Sequence, residues 1–196
     1  MRCGSTATAA RWWCKRVSDT LLAEARRELG RLPGVLDALL AGCDEEAART
    51  RPAPGEWSPV EILCHLRDEE TEDFGARVRV IVDGAAEFTR IDPERWAKER
   101  RYREASLPDA LEALRTRRRA SLDLLASAAT DTLAGSRPHG RLGRLSGLDL
   151  LAAWVAHDRI HLAQLAGTLA RIWALRWADL RTEYAGPIPY PPAPEP

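Results

Sequence analysis

Apolar residues recur along this chain at helical spacing, and Pro- and Gly-rich breaks interrupt them, with no period-two stretch long enough to predict a strand. That pattern predicts an all-α fold. The first helix is expected from an N-cap at Ser18 or Asp19 through Leu21, Leu22, Ala25, Leu29 and Leu32. Pro33 is expected to kink or restart it before Val35, Leu36, Leu39 and Leu40 carry the stripe onward. The clearest start follows at Ser58-Pro59-Val60-Glu61, where Ser58 caps, Pro59 takes the first helical position and Glu61 closes a capping box. That helix is predicted to reach about Asp83, with Gly84 as its stop. An irregular arm through Phe88 and Ile91 then leads to a short helix over Pro93–Glu99. Ser106-Leu107-Pro108-Asp109 opens a third long helix marked by Ala110, Leu111, Leu114, Leu122 and Leu125, and Ser146-Gly147-Leu148-Asp149 opens a fourth, predicted to end near Arg171. Four long amphipathic helices imply a four-helix bundle, whose ligand sites are commonly built from facing side chains.

A chain of 196 residues fits one domain with two tails. Residues 17–185 are predicted as the folded domain, residues 1–16 as a disordered N-terminal extension and residues 186–196 as a Pro-rich tail in polyproline II. The N-terminal stretch lacks the apolar core of a signal peptide. The tail reads as plain spacer, with an SH3-type ligand as the less favoured alternative. Lys plus Arg and Asp plus Glu are 29 each, so no net field draws the chain to nucleic acid or to an anionic membrane. The basic run Arg115 to Arg119, with Glu112 and Asp123 nearby, is read as a solvated helix face. Cys3, Cys14, Cys43 and Cys64 show no CxxC spacing, which fits a reducing cytoplasm. Every apolar run is broken by charge before it is long enough to span a bilayer.

Of four histidines, His157 and His161 stand i, i+4 in the fourth helix, one turn apart on one face. Such a pair alone is more often incidental, or a hydrogen-bonded surface pair, than a metal site. His65, about two turns into the second helix, is placed to complete a facial triad across the core. Three imidazoles suit Zn, Ni or Fe and leave coordination positions open, as catalytic sites require; a core histidine without metal is the bland alternative. Trp154 and Gln164 lie on the same stripe as the pair and are candidates to line a pocket, although Trp154 also reads simply as core. Glu61, Asp68, Glu69 and Glu72 share the face of His65; most read as solvated, Glu61 as a cap, and Glu69 as a catalytic proton shuttle. Cys64 reads as a small buried hydrophobe, and His139, in SRPHGRLG, as exposed.

The segments GEWSPVEILCHLRDEE (residues 55–70) and WVAHDRIHLAQLAG (residues 154–167), with the DPERW arm (residues 92–96) between them, resemble the signature segments of the DinB/YfiT-like superfamily. The resemblance implies a four-helix bundle, often a homodimer, with one divalent ion held by His65, His157 and His161. It also implies two kinds of activity. In the first, a thiol-dependent S-transferase, the ion lowers the pKa of a low-molecular-weight thiol, whose thiolate attacks a small electrophile. In the second, a metal-dependent hydrolase, the ion activates water. A third reading is a non-catalytic metal-binding stress-response module.

Overall fold

A computed structural model of the protein describes residues 6–187, with side chains from Ser18 onward. The chain divides by contacts into two compact units. One takes the chain up to Arg31 together with Glu69–Ile91 and Arg117–Ala156; the other takes Leu32–Asp68, Asp92–Thr116 and the chain from His157. Helix dominates both. In order the elements are α1 (Thr6–Leu40), α2 (Glu45–Arg49), α3 (Pro59–Glu72), α4 (Phe74–Val82), α5 (Pro93–Glu99), α6 (Leu107–Ser127), α7 (Thr130–Leu133), β1 (Ser136–His139), β2 (Gly143–Ser146) and α8 (Gly147–Arg176). Single 3₁₀ turns lie at Tyr102–Glu104 and Thr182–Ala185.

The predicted helix starts follow from side chains that satisfy orphan N–H groups. Ser58 donates to Glu61 through both its N–H and its hydroxyl, each at 2.9 Å, so the Glu61 half of the capping box at α3 is formed. At α8 the box is reciprocal: Asp149 accepts from the Ser146 N–H at 2.9 Å, and Ser146 Oγ accepts from the Asp149 N–H at 3.1 Å. Asp92 caps α5, accepting from the Arg95 N–H at 3.0 Å with Pro93 at the first position. The Asp109 N–H reaches Ser106 Oγ at 3.4 Å at the start of α6.

Five expectations are corrected. First, α1 begins at Thr6, not at Ser18 or Asp19; residues 1–5 and 188–196 lie outside the described residues. Second, α1 does not restart at Pro33 but runs on through it as one helix. Proline has no N–H, which orphans the Leu29 carbonyl one turn back. Arg118 NH1 donates to that carbonyl at 2.9 Å in its place.

Third, the single helix expected from Ser58 to Asp83 is two, separated at Asp73, whose φ of −120° and ψ of −91° are not helical. Gly75 makes the restart possible, because a Cβ there would lie 1.8 Å from the Glu70 carbonyl oxygen. Only a residue without a side chain permits that approach. The Asp73 carboxylate accepts from Arg77 and fixes the first turn of α4. Fourth, the loop holding His139 is a β-hairpin, antiparallel from Ser136 opposite Ser146 to His139 opposite Gly143. Pro138 is tolerated because both strands of this hairpin are edge strands. Fifth, α8 extends to Arg176, past Arg171.

The core of the first unit gathers Ala25 and Leu29 of α1, Phe74, Val78 and Ile81 of α4, Leu125 of α6, Leu133 of α7, and Leu150, Leu151 and Trp154 of α8. Trp154 is therefore core and not pocket lining: it is 1% exposed and stacked on Phe74 with ring centroids 5.6 Å apart. Among these apolar groups lies a buried ion pair. Arg118, expected on a solvated face, is 1% exposed, and its Nε donates to Glu70 at 2.7 Å. Ser121 Oγ donates to the other Glu70 oxygen at 2.8 Å, and the guanidinium sits 5.4 Å from the Trp154 ring centroid. The rest of the basic run behaves as expected, with Arg115 paired to Glu112 and Asp37. In the second unit Leu36, Ile62, Leu63, Leu66, Leu114 and Leu165 are essentially fully buried, each worth about 1.5–3 kcal/mol of transfer free energy. Among the described residues, no helix is long and apolar enough to cross a membrane.

Candidate metal centre

The second unit holds all three histidines of the predicted triad. The capping box sets the register of α3, and Arg51 reinforces it by donating Nε to Glu61 at 2.9 Å. His65 then falls about two turns along, 5% exposed, with the half-buried Trp57 ring 4.9 Å from its own. One turn further on, Asp68 is fully buried and accepts from Arg67 Nε at 2.7 Å, Tyr102 OH at 2.7 Å and Arg100 NH1 at 2.6 Å. Burial would raise the pKa of this carboxyl, but those donors hold it well below the usual carboxylate range. Asp68 thereby ties α3 to the turn after α5 with a charge that is fully satisfied. Sequence reading placed Asp68 on the histidine face but missed Arg100 and Tyr102. No local periodicity links residues so far apart in the chain.

The three imidazoles converge through one atom each. His65 Nε2 lies 3.3 Å from His157 Nε2 and 3.1 Å from His161 Nε2, and the last two are 3.1 Å apart. Three mutually facing ring nitrogens cannot all be joined by hydrogen bonds when each carries either one proton or one lone pair. They do match a shared cation. With metal–nitrogen bonds of about 2.0–2.1 Å, ligand nitrogens stand about 3.3–3.4 Å apart in a tetrahedron and about 2.8–3.0 Å apart on an octahedral face, values that bracket those seen. No other group of His, Cys, Asp and Glu among the described residues meets the same criterion.

Protonation favours ligation as well. Gln164 Oε1, an acceptor only, lies 2.7 Å from His161 Nδ1, so the proton sits on Nδ1 and the Nε2 lone pair faces the centre. Burial, followed by the proximity of His161 and His157, pushes the His65 imidazole down to about 3 against a weaker opposing pull from Asp68. Burial likewise lowers His161. Both rings are thus neutral at physiological pH, the form that binds metal. His157 and His161 are only partly buried.

The remaining site residues fall as follows. Gln164 orients His161 and also lines a neighbouring cleft. Glu69, one turn after His65 in α3, is buried at 3% exposure. Cys64 is fully buried and His139 is in the hairpin; Cys3 and Cys14 lie outside the described side chains.

A family model, that of the DinB superfamily, matches residues 28–165, a segment that contains all three histidines. The chain belongs to the DinB superfamily. Its fold agrees with that of a solved structure, YfiT from Bacillus subtilis, described as a probable metal-dependent hydrolase with an unusual four-helix bundle topology. The TM-score is 0.68 at 15% sequence identity, over 80% of this chain and 87% of that one. No curated protein matches. The architecture is therefore the DinB-type all-α four-helix bundle, and α1, α3, α6 and α8 are its long helices.

If the Gln164 amide sets the His161 tautomer in this DinB protein, Gln164→Leu weakens zinc affinity about tenfold to a hundredfold, as loss of an outer-shell acceptor does elsewhere. Competition against a coloured chelator measures it. Unchanged affinity would show that His161 needs no such partner.

Proposed function

We propose that this DinB protein is a metal-dependent enzyme that transfers a low-molecular-weight thiol to small electrophiles, using Zn, Ni or Fe on His65, His157 and His161. The observation that carries this reading is the set of three Nε2 atoms 3.1–3.3 Å apart. Such a donor set fills only part of a coordination sphere. A divalent ion held there would supply Lewis acidity, the chemistry that lowers the pKa of a thiol.

The protein's own contribution is positional. His65 and His161 are kept neutral by burial, and Gln164 fixes which nitrogen of His161 faces the centre. Trp57 shields one side of the His65 ring. In the transfer the S–H bond breaks, with its proton passing to solvent; a C–S bond forms, and the leaving group departs with its electron pair.

A second reading, hydrolysis, is favoured by the description of YfiT and by the buried Glu69 one turn from His65. Zinc-loaded protein, free of any histidine tag, distinguishes the two when offered a haloarene with and without cysteine, and a panel of esters without thiol. Thiol-dependent loss of the haloarene that falls to background in His161→Ala supports transfer. Turnover untouched by that substitution contradicts the metal centre, and ester turnover without thiol replaces transfer by hydrolysis.

A further inference from the structure

Beside the metal centre the second unit carries an open cleft of about 700 Å³, within the range of small-molecule sites. Two of its lining residues also touch the histidines: Trp57 packs on His65, and Gln164 binds His161. The cleft therefore shares a wall with the candidate metal centre. A ligand lying in it would place one end beside the residues that orient two of the three imidazoles.

The charges of the lining decide what such a ligand is. Glu61 is neutralised by Arg51, Glu56 by Arg171 and Glu104 by Arg101. The other charged lining groups are Lys98 and Arg103, both cationic, and Glu94. Among the described residues none of these three side chains makes an ion pair or hydrogen bond. Two uncommitted cations against one anion leave an excess of one positive charge, which suits a monoanion and disfavours a polyanion such as a nucleotide. The half-buried Trp57 ring adds an apolar face for the uncharged part of the ligand.

We infer that this cleft binds a small organic monocarboxylate, with Lys98 and Arg103 holding the carboxylate and Trp57 the organic body. The inference deepens the proposed function by assigning a charge to its substrate, and rests on that reading for the chemistry at the far end of the ligand.

Calorimetric titration at low salt tests it with phenylacetate, its neutral isostere phenylacetamide, and inorganic phosphate. Both exposed cations can be replaced without disturbing a contact, as Lys98→Gln with Arg103→Gln. The expected result is binding of phenylacetate that weakens about tenfold or more in the double variant, the scale of two exposed charge contacts, with neither phenylacetamide nor phosphate binding comparably. Equal affinity of the double variant, or phenylacetamide or phosphate binding as tightly as phenylacetate, overturns the assignment. The same titrations on His157→Ala keep the two readings apart. Phenylacetate binding that persists there and still depends on Lys98 and Arg103 supports the cleft even if the protein holds no metal. Binding that disappears with His157 belongs to the metal, and the cleft assignment fails.

Discussion

Replacing Arg118 by methionine is expected to cost about 3–5 kcal/mol, because it strands the Glu70 carboxylate inside the first unit's core. At roughly 2–4 °C per kcal/mol for a chain of this size, the loss appears as a fall in Tm of about 10 °C. The substitution also removes the donor that serves the Leu29 carbonyl, which Pro33 leaves without a helical N–H. A specific rescue follows. Pro33→Ala restores a backbone N–H to Leu29, so part of the Arg118→Met loss should return in the double variant, and a thermodynamic cycle should show non-additivity. Replacing Glu70 and Arg118 together, by Leu and Met, is expected to be far milder than either single change, since no buried charge is then left alone. A strictly additive cycle between Arg118 and Pro33 would show that the guanidinium does not compensate for the proline.

The second large effect is expected at Gly75. Alanine is ordinarily the better helix former by about 1 kcal/mol, so propensity alone predicts stabilisation. Here the new Cβ would meet the Glu70 carbonyl at 1.8 Å, a backbone atom with no rotamer to yield. The junction of α3 and α4 must open, and a loss of about 3 kcal/mol or more is expected, at the upper end of overpacking effects. Denaturant titration would read it as a lowered midpoint at unchanged slope. The shift would also disturb Glu70 and hence its bonds to Arg118 and Ser121, so Gly75→Ala and Arg118→Met should couple. A neutral or stabilising Gly75→Ala would show that the break after Glu72 is not held by this close approach.

Both sites owe their weight to tertiary neighbours that local sequence does not show. Arg118 inside a basic run reads as surface, whereas its partner Glu70 is buried with it, and the helix break before Gly75 depends on the Glu70 carbonyl. Trp154 misled in the same way. Its place on the histidine stripe suggested a pocket, whereas its ring is spent on Phe74 and Arg118. The hairpin escaped because strands of four residues, one of them proline, carry too little periodicity.

What was legible is local and chemical. Ser58 with Glu61, Asp92 and Ser146 with Asp149 announce helix starts through capping, which acts over three residues and needs no tertiary context. The i, i+4 spacing of His157 and His161 places two rings on one face by helix geometry alone. The placing of His65 opposite them depended on the depth set by the α3 cap, and the rings do meet at 3.1–3.3 Å. Gln164 falls near the pair by the same spacing, one turn on from His161, whereas its bond to His161 Nδ1 depends on side-chain geometry that spacing does not set.

The central claim is that a single divalent ion belongs on these three rings. Elemental analysis of protein purified without a histidine tag, joined to anomalous diffraction, tests it most directly. The account predicts one transition-metal ion per chain, with its anomalous peak among the Nε2 atoms of His65, His157 and His161, and loss of that ion in His157→Ala. Protein that takes up no ion when offered zinc, nickel and iron, or a variant that keeps its full complement, would contradict it.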